Sequence, residues 1–140
     1  MMNIILSIKP KYAELIYSGK KTIEWRHTYP ERIIFCDRIY MYETAPVCRV
    51  TGYFRINPLL TPFSIDNEFD ILPSSILDNL EDWGQVSIEE LKKYAARGKV
   101  WGWHILNPRR LPSPINLKLF NLKRPPQSWQ YLNTNKEVTK

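Results

Sequence analysis

Long apolar runs are missing from this chain of 140 residues. None approaches the roughly 18–20 residues that span a bilayer. The opening Ile4-Ile5-Leu6-Ser7-Ile8 is too short for the core of a signal peptide, has no cleavage-site pattern and runs into Lys9-Pro10. A cytoplasmic protein with no membrane association is therefore expected. Cysteine is scarce: Cys36 and Cys48 lack CxxC or other metal-ligand spacing and read as reduced, partly buried thiols. His27 and His104 have no third ligand in register, so neither a zinc site nor a cofactor is expected. A Gly-rich phosphate loop, a nucleophile elbow and an ordered Ser/His/Asp set are also absent, which argues against P-loop and serine-hydrolase chemistry. No internal repeat or low-complexity tract is visible.

Charge of one sign is missing from one long segment and nearly so from another. Residues 61–91 carry eight acids and no base, whereas residues 92–140 carry eleven bases and a single acid, Glu137. The formal net charge is +6. Such segregation can set a basic face against an acidic one, and a basic face attracts phosphate backbones. Sequence blocks that intermix in space would instead leave an ordinary solvated surface.

The apolar fraction is 44% with 13% aromatics, ample for a packed core. Asn3–Ile8 reads as a buried strand. Pro10 suits a first helical position, and Tyr12, Leu15 and Ile16 follow at helical spacing up to Gly19. Lys21–His27 reads as extended. Arg38–Glu43 and Val47–Ile56 form the clearest hairpin, with Ala45-Pro46 at the turn; Cys48, Val50, Phe54 and Ile56 are expected on one face. Asn57–Leu72 is a connection, followed by an acidic helical stretch ending near Trp83-Gly84. Ser87-Ile88-Glu89-Glu90 has capping-box spacing for a helix to about Ala96, with an Ile88, Leu91 and Ala95 stripe. Lys99–Leu106 is a strand with Trp101 and Trp103 on one face, after which Pro108, Pro112 and Pro114 are expected to break the chain into turns. These elements imply a mixed α+β, mainly β, small barrel with flanking helices. Residues 1–132 are read as one domain and Asn133–Lys140 as a frayed tail.

The order Gly19, Lys21, Thr22, Glu24, Arg26 after a first helix resembles the signature of ASCH-domain proteins. The stretch Lys123-Arg124-Pro125-Pro126-Gln127-Ser128-Trp129 resembles the close of a small microbial and phage subgroup of that family. The resemblance implies a PUA-like barrel with a cleft beside the first helix, and RNA or a nucleotide as partner. Lys9, Lys21, Thr22, Glu24, Trp25, Arg26, Arg124, Gln127 and Ser128 are the implied binding residues. Some small bacterial members resemble amidohydrolases that deacetylate acetylated cytidine nucleosides with a Lys, a Thr and a Glu. Those positions fall here on Lys21, Glu24 and Gly84, so only the lysine is matched; Glu81 is a neighbour of the third.

Physically, Lys21, Glu24 and Arg26 lie within six positions. On a regular strand Lys21 and Glu24 point to opposite faces, and a twist or bulge is needed to unite them. Together they would hold a phosphate or base edge, act as an acid–base pair if the chain is an enzyme, or form a structural ion pair. Lys21 is expected at the cleft mouth, charged and beside the end of the first helix. Trp25, Trp101, Trp103, Tyr40, Tyr42 and Tyr53 are either stacking platforms for bases or barrel core. Arg109, Arg110, Lys118, Lys123 and Arg124 could track a phosphate backbone or be a solvated surface.

Overall fold

The computed structural model describes residues 2–57, 63–65, 69 and 72–132. The tail at Asn133–Lys140 and most of the expected 57–72 connection lie outside these residues.

β1 (Met2–Ile8) is buried on both faces, as its unbroken apolar run requires. It runs parallel to β3 (Cys36–Glu43) and antiparallel to β7 (Trp129–Leu132). Ile4 and Leu6 enter one core cluster with Ala13, Ile16 and Trp103, while Ile5 enters a second with Tyr40, Val50 and Phe120. α1 (Pro10–Tyr17) begins on Pro10, and the turn after it uses Gly19 at φ +83°. β2 is shorter than expected and spans Ile23–Arg26, leaving Lys21 and Thr22 before the strand.

β3 and β4 (Arg49–Ile56) form the expected hairpin, but their register shifts: Met41 faces Gly52 and Tyr42 faces Val50. The extra residue is Thr51. A bulge inverts side-chain phase, so Val50 joins the second cluster while Phe54 joins the first. The expectation that both face one way is therefore corrected. Cys48 is also corrected: it precedes β4 at φ +51°, is exposed, and is not on the apolar face. Gly52 is required at this crossing, since a Cβ there would stand 2.2 Å from the Arg109 carbonyl oxygen.

β5 (Phe63–Ile65) adds to the sheet within the segment read as connection. α2 (Ser74–Gly84) and α3 (Ile88–Ala95) follow, the latter capped by Ser87, whose hydroxyl accepts from the Glu90 amide. With β2 and β5 they enclose a third cluster containing Ile23, Trp25, Leu80, Leu91 and Ala95. β6 then runs without interruption from Val100 to Ile115, through the three prolines expected to end it. The reason lies in its pairing with β4, which shifts register between the Arg55–Leu106 and Tyr53–Arg109 pairs and again between Gly52–Arg110 and Val50–Ile115. Pro108 falls in the first irregularity, Pro112 and Pro114 in the second, where the ladder does not need their missing N–H.

The strand order is β2-β6-β4-β3-β1-β7, with β5 also on β6, and the sheet curls into a half-barrel. Its edges, β2 and β7, are joined by side chains. Arg26 on β2 donates to the Ser128 carbonyl and hydroxyl at 3.2 and 3.1 Å and to the Ser7 carbonyl at 2.7 Å. Trp129 donates from its indole N–H to the Thr28 hydroxyl at 2.8 Å. The site lies along this seam. No helix among the described residues is long and apolar enough to cross a membrane.

Candidate functional site

A cleft of about 710 Å³ opens at the seam. One wall is the end of β1 and the start of α1, supplying Ser7, Ile8, Lys9 and Tyr12. The floor is Lys21 with Glu24–Thr28, the opposite wall is Glu90, Leu91 and Tyr94 of α3 with Arg97 in the turn after it, and Gln127 and Ser128 close one end.

At the floor the three charged residues of the signature form one cluster. Lys21 lies before β2, so strand alternation does not apply to it, and its Nζ reaches 3.5 Å from Glu24 Oε1. The same ammonium donates to the Gly84 carbonyl. Lys21 is only 2% exposed and Glu24 6%, so the expectation of a lysine at the cleft mouth is corrected. Its carbonyl partner also comes from the end of α2 and not from α1. Burial pushes its pKa below the ordinary lysine value, and the Glu24 carboxylate opposes that shift. The ring of Tyr12 lies 5.2 Å from the ammonium.

Glu24 Oε2 accepts from Arg26 Nε at 2.8 Å, and the second guanidinium nitrogen is 2.7 Å away. With Glu24, Ser7 and Ser128 all bonded to it, Arg26 spends its donors inside the protein and serves as a clamp on the seam. The Ser7 hydroxyl adds a bond to the Pro126 carbonyl at 2.6 Å. The two sequence motifs at opposite ends of the chain thus meet in one hydrogen-bonded unit.

Gly84 sets the depth of the floor. A Cβ at this position would stand 2.1 Å from the Trp25 indole nitrogen, so only glycine lets α2 end against that ring with its carbonyl turned to Lys21. Glu81, three positions before Gly84, accepts from the Ile88 amide at 3.1 Å and is engaged at the start of α3.

Of the residues singled out in the sequence, Lys9, Lys21, Glu24, Trp25, Arg26, Gln127 and Ser128 line the cleft, whereas Thr22 and Arg124 do not. Thr22 is used through its backbone: its amide donates to Trp83 and its carbonyl accepts from Ile105. Trp25 is buried in the third core cluster and presents only part of itself to the cleft. Trp103 is fully buried core. The α3 wall was not anticipated. Tyr94 stacks on His27 with ring centroids 3.8 Å apart, and His27 Nδ1 is 3.2 Å from the Lys99 carbonyl. Burial raises the pKa of the Tyr94 hydroxyl. The capping box located that helix, but nothing in its sequence told which face meets the signature. Among the described residues no group of three His, Cys, Asp or Glu is placed to hold a metal ion.

A curled, mainly β half-barrel with a clamped seam and a cleft across it defines the structural class. Residues 6–114 match the ASCH domain, and the chain belongs to the ASCH family. An ASCH domain-containing ribonuclease from Zymomonas mobilis is 41% identical over 49 residues, which are 35% of this chain and 32% of that protein. The match thus spans about a third of that relative's length. The crystal structure of ZmASCH from the same organism superposes with a TM-score of 0.73 at 23% identity, covering 96% of this chain and 90% of that one. A serine-to-alanine mutant of that protein gives 0.76 at 23% identity, with coverages of 96% and 90%. At that identity the likeness establishes the shared fold alone.

Proposed function

We propose that this chain is an RNA-binding module whose seam cleft takes one nucleotide of a single strand. The observation that carries the reading is the layering of the cleft. A buried Lys21–Glu24 pair lies at the floor, Tyr12 and Tyr94 stand in the walls, and Lys9 and Arg97 are exposed among its lining residues. A base stacks on aromatic rings and finds a donor and an acceptor at depth, while surface cations meet its phosphates. The ribonuclease name of the Zymomonas relative supports RNA as the class of partner. The test is a titration of wild type and Tyr94→Ala with a fluorescent uridine trinucleotide at several salt concentrations. Wild type should bind with affinity falling as salt rises, and the variant should bind about tenfold or more weakly, in line with roughly 1–3 kcal/mol for base stacking. Equal affinity for both proteins would remove the cleft from the interaction.

A second reading is hydrolytic, and the lowered pKa of Lys21 beside a carboxylate favours it. An amine that gives up its proton readily suits acid–base work on RNA or on a modified nucleoside. For deacetylation of acetylated cytidine the support is thinner, because the family resemblance puts Glu24 and Gly84 at the positions where such enzymes use a Thr and a Glu. Incubation with single-stranded RNA and with acetylated cytidine, using wild type and Lys21→Met, separates the readings: turnover abolished in the variant would make the chain an enzyme.

A further inference from the structure

A second cationic surface lies away from the cleft. On the sheet face carrying Tyr40 and Tyr53, the Arg38 guanidinium sits 4.2 Å from the Tyr53 ring centroid and Arg55 sits 5.4 Å from it. Arg109 is the cross-strand partner of Tyr53 on β6 and is exposed. One acid is present: Asp37 accepts from Arg55 Nε at 2.9 Å, with both side chains more than a third exposed. Among the described residues, three arginines against one aspartate leave the patch positive. The ring orients the Arg38 guanidinium, which among the described residues donates once out of its five N–H groups, to the Tyr40 hydroxyl at 3.2 Å. Clustered like charges have a standing cost that an anionic ligand relieves. The arrangement differs from Arg26, whose donors are consumed within the protein. It also differs from Arg110, which alternation sends to the other sheet face, over the Tyr17 ring at 4.1 Å and paired with Glu14.

We propose that Arg38 and Arg55, placed against the Tyr53 ring, and Arg109, the cross-strand partner of Tyr53, form a second contact for the phosphodiester backbone of the RNA strand whose nucleotide enters the cleft; this rests on the RNA reading above. Spacing supports one strand serving both. The Arg38 amide is bonded to Asn3 at the start of β1, while Ser7 and Ile8 at its end line the cleft. Five residues of strand separate the two by about 16 Å. Stacked at an axial rise of about 3.4 Å per phosphate, as each strand of a duplex is, roughly five nucleotides cover that gap, and an extended single strand covers it with fewer. A trinucleotide should then occupy the cleft alone, and a dodecanucleotide should reach both.

The experiment measures the affinity of wild type and of the triple variant Arg38→Gln, Arg55→Gln, Arg109→Gln for both oligonucleotides across a salt series, with folding checked by circular dichroism. The expected result is an unchanged affinity for the trinucleotide. For the dodecanucleotide the slope of log affinity against log salt should fall by about 2, since each phosphate contact on a single strand contributes roughly 0.7. If the triple variant does not fold, Arg109→Gln alone, at an exposed position, should lower the slope by roughly 0.7. An unchanged dodecanucleotide slope with trinucleotide binding intact would overturn the second surface and leave the cleft reading standing. Binding of neither oligonucleotide by wild type would overturn both.

Discussion

Replacing Glu24 with glutamine removes the carboxylate 3.5 Å from the Lys21 ammonium at a position where Lys21 is 2% exposed. Breaking a buried pair from one side costs about 3–5 kcal/mol, because the remaining charge stays desolvated. Lys21 keeps the Gly84 carbonyl and can lose its proton, so Glu24→Gln should fall near the low end, about 3 kcal/mol. Lys21→Met is the asymmetric partner experiment. It removes the most buried charge while Glu24 retains Arg26 at 2.7 Å, and the Gly84 carbonyl loses its donor at a cost of about 1–3 kcal/mol. The double variant should be more stable than the sum of the singles implies, since no ammonium is left stranded. Sign follows from the pKa direction. Burial sets the native Lys21 value below the unfolded one, so between the two the unfolded chain binds more protons and stability rises with pH. Glu24→Gln should steepen that rise and Lys21→Met abolish it. Urea unfolding at pH 7 and at about pH 9.5, both below the ordinary lysine value, reads all of this. A Lys21→Met variant less stable than Glu24→Gln, or strict additivity, would refute desolvation as the dominant effect.

Gly84→Ala should cost about 1–3 kcal/mol by overpacking against Trp25, and should weaken trinucleotide binding, because the carbonyl that holds Lys21 must move; thermal melting and the binding titration check both. Tyr17 is bonded to Thr51 at 2.7 Å, Thr51 donates to Glu43 at 2.6 Å, and burial pushes the phenol up to about 12. Its folded value lies above the unfolded one, so its contribution is complete below about pH 10 and is lost as pH rises toward 12. Tyr17→Phe should flatten that alkaline loss of stability while costing about 1 kcal/mol at neutral pH. Lys9→Glu combined with Arg97→Glu should reduce trinucleotide affinity at low salt far more than at high salt.

Much of the fold was legible because periodicity was locally clean. The β1 run, Pro10, Gly19, the Ser87 cap and the Trp101/Trp103 alternation each report a local preference that the tertiary structure kept. Two of the failures share one cause, which is irregular pairing. Thr51 inserts a bulge that reverses the phase of Val50 against Phe54, and the paired irregularities of β6 accept prolines that a regular ladder would reject. Neither can be read from one strand without its partner. The site was half legible. The signature named Lys21, Glu24 and Arg26, and the tail named Ser128, but their union across the seam depends on β2 and β7 becoming the two open edges. Burial of Lys21 was missed because the α2 carbonyl that receives it lies 63 positions away in sequence. The Tyr94 and Arg97 wall was missed because an amphipathic pattern tells which helix face is apolar and not what its rim confronts.

The most direct test of the cleft as an RNA site is photo-crosslinking of a thiouridine-labelled trinucleotide to the wild-type chain, with the attachment points mapped by peptide mass spectrometry. Crosslinks at Tyr12, Trp25 or Tyr94, lost on competition with unlabelled RNA and reduced in Tyr94→Ala, are the expected result. Crosslinks confined to residues outside the cleft, or none at concentrations where the oligonucleotide is bound, would contradict it.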